Sequence, residues 1–232
     1  LHRAGCVEPW GDISYGQAWS SQINDLHRVV QVAAGGTHSL ALTSYGSVVA
    51  WGNNANTQIN VPAGYTQASF GQDPRGVAVD SAGNVYLADT QNNKIRKMTA
   101  NGTVTTLAGT GDWGSQDGPG ATATFAEPMG IAVDSGGNVY VGDAGNGNIR
   151  KITSNGTVST LASSVGWIEV LAVSGTTIYA SDTYGHRILK ITSGGVVSTL
   201  AGSGSQGSNN GKGTSASFYE PRGLAIDSSG NV

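Results

Sequence analysis

The chain has 232 residues, of which only 12% are charged, and its formal net charge is −3. This balance gives no electrostatic reason to expect nucleic acid as a partner, and without a run of about 18 apolar residues we expect no membrane insertion. Glycine accounts for 36 residues, and this abundance is typical of an all-β protein that is rich in turns.

The first part of the chain contains an imperfect repeat. Trp10-Gly11-Asp12 recurs 41 residues later as Trp51-Gly52-Asn53. The segment VAAGGTHSLALTSYGSVVAWGNN resembles the regulator-of-chromosome-condensation repeat, and the resemblance extends over residues 7–62. Thr57 departs from the pattern of that family, which prefers glycine there. Since members of the family form β-propellers, the resemblance implies blade-like antiparallel sheet in a first domain, residues 1–62.

A second repeat unit follows, and it consists of four short apolar runs separated by turn residues. In the copy Glu127–Ala162 the runs are Ile131–Val133, Val139–Val141, Ile149–Ile152 and Val158–Leu161. The runs are too short for helices, and they are rich in β-branched residues. The intervening glycine- and asparagine-rich clusters close tight hairpins. Each copy is therefore predicted to be a four-stranded antiparallel meander, with its first strand innermost and its fourth outermost.

The motif that opens this copy recurs, which identifies the unit. It appears as Pro74–Asp80, Pro128–Asp134 and Pro221–Asp227. The unit is similar to the NHL repeat, and the similarity covers residues 70–232 as three copies and the start of a fourth. Such units stack radially as propeller blades. We expect an incomplete β-propeller of about five blade units, with residues 63–232 as its second domain.

Two glycine-rich inserts lengthen the connections between copies. Gly109–Thr124 and Gly202–Ser217 align without gaps at an offset of 93 residues, which places Trp113 opposite Gln206. Because Trp113 occurs in one insert only, it is a candidate for binding and not for blade structure.

Two sets of aspartates recur in the copies: Asp80, Asp134 and Asp227, and Asp89, Asp143 and Asp182. Several carboxylates could converge on a metal at the ring axis. A residue present in every blade is better explained as serving the blade, by accepting hydrogen bonds from the backbone of its own turn. We therefore expect no metal site and no cofactor.

The sequence offers little for catalysis. The predicted inner strands GVAVD, GIAVD, VLAVS and GLAID contain no histidine, whereas propeller lyases and lactonases place several metal-binding side chains there. We expect no catalytic residues and no enzyme activity.

The third strands carry recurring lysines and arginines. In residues 63–232, 10 Lys and Arg stand against 12 Asp and Glu, and no aromatic residues interleave with the basic ones for base stacking. Long side chains lying along a blade flank explain these residues without RNA.

The connections from fourth to first strands and from second to third strands share one face of a propeller, and loops often carry function. Aromatic and arginine residues are common anchors of interfaces. The candidate binding residues on this face are Trp113, Asp112, Asp117, Trp167, Tyr184, Arg75 and Arg222. The opposing interpretation of Trp113 is that it only covers its own insert.

The sequence thus predicts a non-catalytic binding or scaffolding module that presents a loop face to a protein or carbohydrate partner. The alternative is the non-catalytic portion of a lactonase-like or amidating-lyase-like propeller whose active blades lie outside the chain. The last residues, Ser229-Gly230-Asn231-Val232, stop within a hairpin. We therefore expect a fragment of a larger bacterial repeat protein, extracellular or at the cell surface, whose open sheet edges make the isolated chain associate.

Overall fold

The computed structural model describes residues 29–34, 38–43, 48–52, 75–99, 102–227 and 229–232, the first three ranges as backbone strands. The boundary predicted near residues 62–68 lies outside these ranges, and the division into two domains stays a prediction.

The described residues form a succession of antiparallel sheets. The first sheet has three strands, β1 (Val29–Ala34), β2 (His38–Thr43) and β3 (Val48–Gly52). The second has four, β4 (Gly76–Val79), β5 (Val85–Asp89), β6 (Lys94–Met98) and β7 (Val104–Ala108). The third contains β8 (Gly118–Pro119), β9 (Pro128–Val133), β10 (Val139–Asp143), β11 (Asn148–Ile152) and β12 (Thr157–Ala162). The fourth contains β13 (Ile168–Ser174), β14 (Thr177–Asp182), β15 (Arg187–Ile191) and β16 (Val197–Ala201).

Within each sheet, strands that follow one another in the sequence are hydrogen-bonded neighbours, apart from β8. The helices of the described part are three 3-10 turns, Thr90–Asn92, Ala144–Asn146 and Gly213–Ser215. The predicted all-β meander is confirmed, and the strands extend the predicted runs by a few residues at their ends.

The sheets are arranged as the blades of a propeller. The first strands contact one another, with β1 against β4, β4 against β9 and β9 against β13. First strands are therefore innermost, as predicted. Their approach is close at Gly76, where a Cβ atom would lie only 2.0 Å from the carbonyl oxygen of Met129.

The hydrophobic core lies in layers between adjacent sheets. One layer, between the second and third sheets, includes Ile95, Phe125, Ile131 and Ile152, which are at most 2% exposed. A second layer lies between the third and fourth sheets and includes Ile168 and other buried residues. Each such side chain contributes about 1.5–3 kcal/mol by burial, so stability resides between the blades and no blade is stable by itself.

The first insert, residues 109–124, reaches the outer edge of the sheet that follows it. Its strand β8 pairs with β12 through Pro119 opposite Thr157 and Gly118 opposite Val158, so that β8, and not the fourth strand of the meander as predicted, is outermost in this sheet. The amide of Gly120 also donates to the carbonyl oxygen of Gly156 at 2.8 Å. The insert therefore supplies this sheet with a fifth strand.

The second insert, residues 202–217, repeats the local structure of the first. Trp113 forms a parallel bridge with Phe125, and Gln206 forms the same bridge with Phe218. This agreement confirms the offset of 93 that the sequence alignment gave. Residues 223–226, predicted as the first strand of a further copy, pair with no strand among the described residues. The turn that follows them is nevertheless formed, with the Oδ1 of Asp227 accepting from the amides of Ser229 and Asn231.

Candidate binding surface

Two kinds of connection meet at one end of the blades, as predicted. We call this end the loop face: it comprises the turns after β5, β10 and β14 and the segments that precede β4, β9 and β13. A cavity of about 540 Å³ lies there. It is lined by Arg75, Thr90, Gln91, Asn93, Trp113, Glu127, Met129 and Trp167. Three of the seven predicted binding residues, Arg75, Trp113 and Trp167, are thus brought together.

Trp113 forms one wall of the cavity and has 62% of its surface exposed. Its ring lies over the turn after β10, where a Cβ on Gly145 would be only 3.0 Å from Cη2 of Trp113. The side-chain amide of Asn146 in that turn donates to the carbonyl of Gly114 at 2.8 Å. Trp113 is therefore held by its backbone while its ring stays open to a partner.

Trp167 forms part of another wall and carries an unsatisfied donor. Its indole Nε1 is buried and has no hydrogen-bond partner among the described residues. Its backbone amide donates to Oδ1 of Asp182 at 3.3 Å, and its ring centroid lies 5.8 Å from that of Tyr184. Buried polar groups are usually paired, so this unpaired donor is an exception, and the atom itself is enclosed by protein and not open to the cavity.

The polar lining is fixed by Asn93, which the sequence analysis did not identify. Its Oδ1 accepts from the amide of Glu127 at 3.0 Å, and its Nδ2 donates to the carbonyl of Gly111 at 3.3 Å. Asn93 and Glu127 have positive φ angles of 52° and 47°, which non-glycine residues rarely adopt. No residue pattern in a single repeat reveals such backbone angles, although Asn93 occupies the place of a glycine in the next copy, Gly147.

Arg222 forms ion pairs with two glutamates, Glu169 and Glu220. Its guanidinium donates to both carboxylate oxygens of Glu169, at 3.0 and 2.8 Å, and to Glu220 at 3.0 Å. Hydrogen bonding to Glu220, the charge of Glu169 and a hydrogen bond with Tyr184 raise the pKa of Arg222. These four residues link the fourth sheet to the segment after β16.

The two aspartates predicted on the loop face have different places. Asp112 is exposed, and its carboxylate accepts from the hydroxyl of Thr110 at 3.1 Å. Asp117 contacts the outer strand of the third sheet, where it accepts from the amide and hydroxyl of Thr160, both at 3.0 Å, and from Arg150. Asp117 is not among the residues that line the cavity, and the structure gives it a role in attaching the insert.

Arg150 is fully buried, which corrects the expectation that the basic side chains of third strands lie along a blade flank. It donates to Asp143 at 2.9 Å and to Asp117 at 2.7 Å. The carbonyls of Thr124 and Gln116 accept two further hydrogen bonds at 2.9 and 3.0 Å, and its Nε has no partner among the described residues. A buried charge needs partners of this kind.

Of the aspartates that end the second strands, Asp182 accepts as predicted from the amide of Gly185 in its own turn, at 3.2 Å, whereas Asp143 differs from what was expected. Asp143 accepts no hydrogen bond from the backbone of its own turn: its Oδ1 accepts from the amide of Ala126 at 2.7 Å, and its Oδ2 from Asn146 and Arg150. Burial raises the pKa of Asp143, although these three donors oppose the shift. Asp143 thus holds its blade together through the segment that precedes β9 and through Arg150 on β11.

The aspartates that end the first strands behave as predicted. Oδ1 of Asp134 accepts from the amides of Gly136 and Asn138, and its Oδ2 accepts from the hydroxyl of Tyr140 at 3.1 Å. Burial by itself would raise the pKa of Asp134, but the hydrogen bonds lower it. Burial and the same bond raise the pKa of Tyr140 to about 12.

Within the described ranges, no three His, Cys, Asp or Glu side chains are grouped as metal ligands would be. No helix in that part of the chain has the length and apolar character needed to cross a membrane.

Comparisons with known proteins agree with the repeat structure. The Regulator of chromosome condensation (RCC1) repeat matches residues 29–58, and the NHL repeat matches residues 72–98 and 125–152. Protein SUPPRESSOR OF QUENCHING 1, chloroplastic, from Arabidopsis thaliana is 41% identical over 85 residues, which are 36% of this chain and 8% of that protein.

Solved structures share the fold. A chain from the crystal structure of a nidogen/laminin complex gives a TM-score of 0.58 at 16% identity, covering 76% of this chain and 65% of that one. A structural genomics protein of unknown function from Bacteroides thetaiotaomicron gives 0.54 at 20% identity, covering 68% of this chain and 46% of that one. The chain therefore contains RCC1 and NHL repeats, and it spans only a small part of its curated relative.

Proposed function

We propose that this chain of RCC1 and NHL repeats is a non-catalytic binding module that captures a protein or carbohydrate partner at the loop-face cavity. The observation that carries the proposal is the pairing of Trp113 and Trp167 in one cavity with polar neighbours. Apolar walls with a few fixed polar groups are typical of ligand sites. A large aromatic side chain left 62% exposed is also the usual anchor of an interface.

The rigidity of the cavity supports the same proposal. Asn93 and Asn146 attach the walls to backbone carbonyls, and Thr90 donates to the carbonyl of Pro128 at 2.8 Å. A preformed site loses less conformational entropy on binding. The fold likeness to a chain from the crystal structure of a nidogen/laminin complex supports a protein as one of the two classes of partner. We also propose an extracellular or cell-surface location, where a partner of either class would be met.

Replacing Trp113 by alanine tests this proposal. The chain is screened against arrayed glycans and extracellular protein domains, and the variant is compared with Val196→Ala. Val196 is a matched control because it is 67% exposed but lies in the turn between β15 and β16, at the opposite end of the blade.

We expect Trp113→Ala to weaken partner binding by about tenfold or more, which corresponds to about 1.4 kcal/mol. Its free energy of unfolding should change by less than about 0.5 kcal/mol, as for other surface residues. Val196→Ala should change neither the affinity for the partner nor the free energy of unfolding. Partner binding that survives Trp113→Ala unchanged would contradict a site at this cavity.

A further inference from the structure

We propose that the loop face binds a linear, uncharged polysaccharide along an arc of aromatic side chains that begins in the cavity. This inference rests on the proposed function and names the class of its ligand. We call the set Trp113, Trp167, Tyr184 and Tyr219 the aromatic arc.

The members of the aromatic arc come from successive connections on the loop face. Trp113 precedes β9, Trp167 precedes β13, Tyr184 follows β14 and Tyr219 follows the second insert. Trp113, Tyr184 and Tyr219 are 62%, 56% and 62% exposed, although large aromatic residues are mostly buried in soluble proteins. Exposed aromatic surface therefore recurs at several connections of the loop face.

Neighbouring side chains hold the rings of the aromatic arc in place. Trp167 lies 5.8 Å from Tyr184 between ring centroids, and Tyr219 lies 5.8 Å from His186. The imidazole of His186 accepts from the amide of Glu220, which fixes its ring. Rings held in this way can present flat apolar surfaces without a large loss of side-chain entropy on binding.

The charges on this face disfavour an acidic ligand. Arg222 is paired with both Glu169 and Glu220, which leaves one net negative charge, and the cavity lining contains one arginine and one glutamate. An acidic peptide or polymer would therefore find no excess of positive charge. A neutral sugar chain instead needs apolar ring surfaces for its C–H faces and scattered donors and acceptors for its hydroxyls.

The cavity offers such hydrogen-bonding groups. Gln91 and Asn93 both line it, and Gln91 is exposed. A sugar hydroxyl can accept from the side-chain amide nitrogen of Gln91 or donate to its oxygen, because a hydroxyl is both donor and acceptor.

The test uses isothermal titration of the whole chain with oligosaccharides of defined length. The neutral probes are the disaccharides and hexasaccharides of cellulose, xylan, chitin and β-1,3-glucan, and the charged probe is hexagalacturonic acid. Each is titrated into the wild-type chain and into Trp113→Ala, Tyr219→Ala and Val196→Ala, after thermal melting has shown that each variant is folded.

We expect at least one neutral hexasaccharide to bind, and its disaccharide to bind at least about tenfold more weakly, because the disaccharide cannot reach both ends of the aromatic arc. Trp113→Ala and Tyr219→Ala should each weaken hexasaccharide binding by about tenfold, and Val196→Ala should not. Absence of binding by every neutral hexasaccharide overturns the inference, as does binding of hexagalacturonic acid alone.

The two proposals can fail separately. If no sugar binds but an extracellular protein domain does, and Trp113→Ala abolishes that interaction, the polysaccharide inference is wrong and the binding module stands. If a hexasaccharide binds equally well to Trp113→Ala and Tyr219→Ala, both the aromatic arc and the cavity are excluded as its site.

Discussion

Arg150 and its counterparts show how a single position changes its role between blades. Arg96 occupies the same place in the second sheet, where its guanidinium lies 3.7 Å from Asp89 and the side chain is 24% exposed. Leu189 occupies it in the fourth sheet, and Arg187, two residues earlier, pairs with Asp182 at 2.8 Å instead. Full burial of an arginine thus coincides with the insert, where the carbonyls of Thr124 and Gln116 accept two of the hydrogen bonds that the guanidinium donates.

The free energy of unfolding should distinguish the two sets of aspartates. Asp143→Ala leaves Arg150 buried without its main partner, so we expect a loss of about 3–5 kcal/mol. Asp134→Ala removes a partly exposed turn acceptor and should cost about 1 kcal/mol. Urea unfolding of both variants checks this difference. If the two variants lose equal free energy of unfolding, the buried ion pair between Asp143 and Arg150 contributes no more to stability than the turn hydrogen bonds of Asp134.

At the scale of the structural element, the first insert, residues 109–124, is attached to the outer side of the third sheet. Strand β8 adds only two residues of pairing to β12. Asp117 adds three hydrogen bonds, to Arg150 and to both donors of Thr160. Hydrogen bonds from these groups lower the pKa of Asp117, although burial by itself would raise it. The side chain is 48% exposed, so solvent screens much of this interaction.

Asp117→Ala should therefore loosen the insert more than it destabilises the chain. We expect amide hydrogen exchange in β8 and at Thr160 to accelerate by about tenfold, with a global loss of about 1 kcal/mol or less. Asn210→Ala is the matched control, because Asn210 is the exposed counterpart of Asp117 in the second insert. Unchanged exchange in β8 would show that strand pairing alone holds the insert.

Much of the secondary structure could be predicted from the sequence, because aligning the repeat copies with one another shows which positions recur. The alignment of Trp113 with Gln206 correctly paired two inserts whose backbone bridges are the same. It could not show where the insert goes, since the pairing of Gly118 with Val158 is made once in the described chain and leaves no recurring pattern. For the same reason Asp117 was assigned to the loop face and not to the outer edge.

The lining of the cavity was harder to predict than the fold. Trp113, Trp167 and Arg75, which line it, were proposed as binding residues because aromatic and arginine residues in loops are common at interfaces, and their role in binding stays a prediction. Asn93 and Glu127 were missed because their contribution depends on left-handed backbone angles and on a contact between two connections. Polar residues of that kind are common throughout this sequence, so their types alone do not distinguish them.

At the scale of the whole molecule, the spacing between blades depends on residues without side chains. Gly76 stands where the inner strands β4 and β9 meet, and a Cβ there would overlap the carbonyl oxygen of Met129 at 2.0 Å. At the aligned position in the last copy, Gly223, no described atom lies within 4 Å of such a Cβ.

Gly76→Ala should separate two blades, while Gly223→Ala should not. We expect the first to lower the free energy of unfolding by about 1–3 kcal/mol, because the obstructing atom belongs to the backbone and cannot rotate away. The second should change it by less than about 1 kcal/mol, or raise it through the reduced freedom of the unfolded chain. Chemical unfolding of both variants gives the comparison. A loss at Gly223 as large as that at Gly76 would contradict the contact between inner strands.

The pairing of the first insert with β12 also has a consequence for synthesis on the ribosome. The residues that β8 pairs with, Thr157 and Val158, lie about 40 positions further along the chain than Gly118 and Pro119. At about 5–20 residues per second, the insert emerges several seconds before its partners exist. During that interval its glycine-rich backbone is open to solvent and proteases, and the guanidinium of Arg150 has not yet been made. The first insert can therefore take its place at the edge of the third sheet only after all of that sheet has been translated.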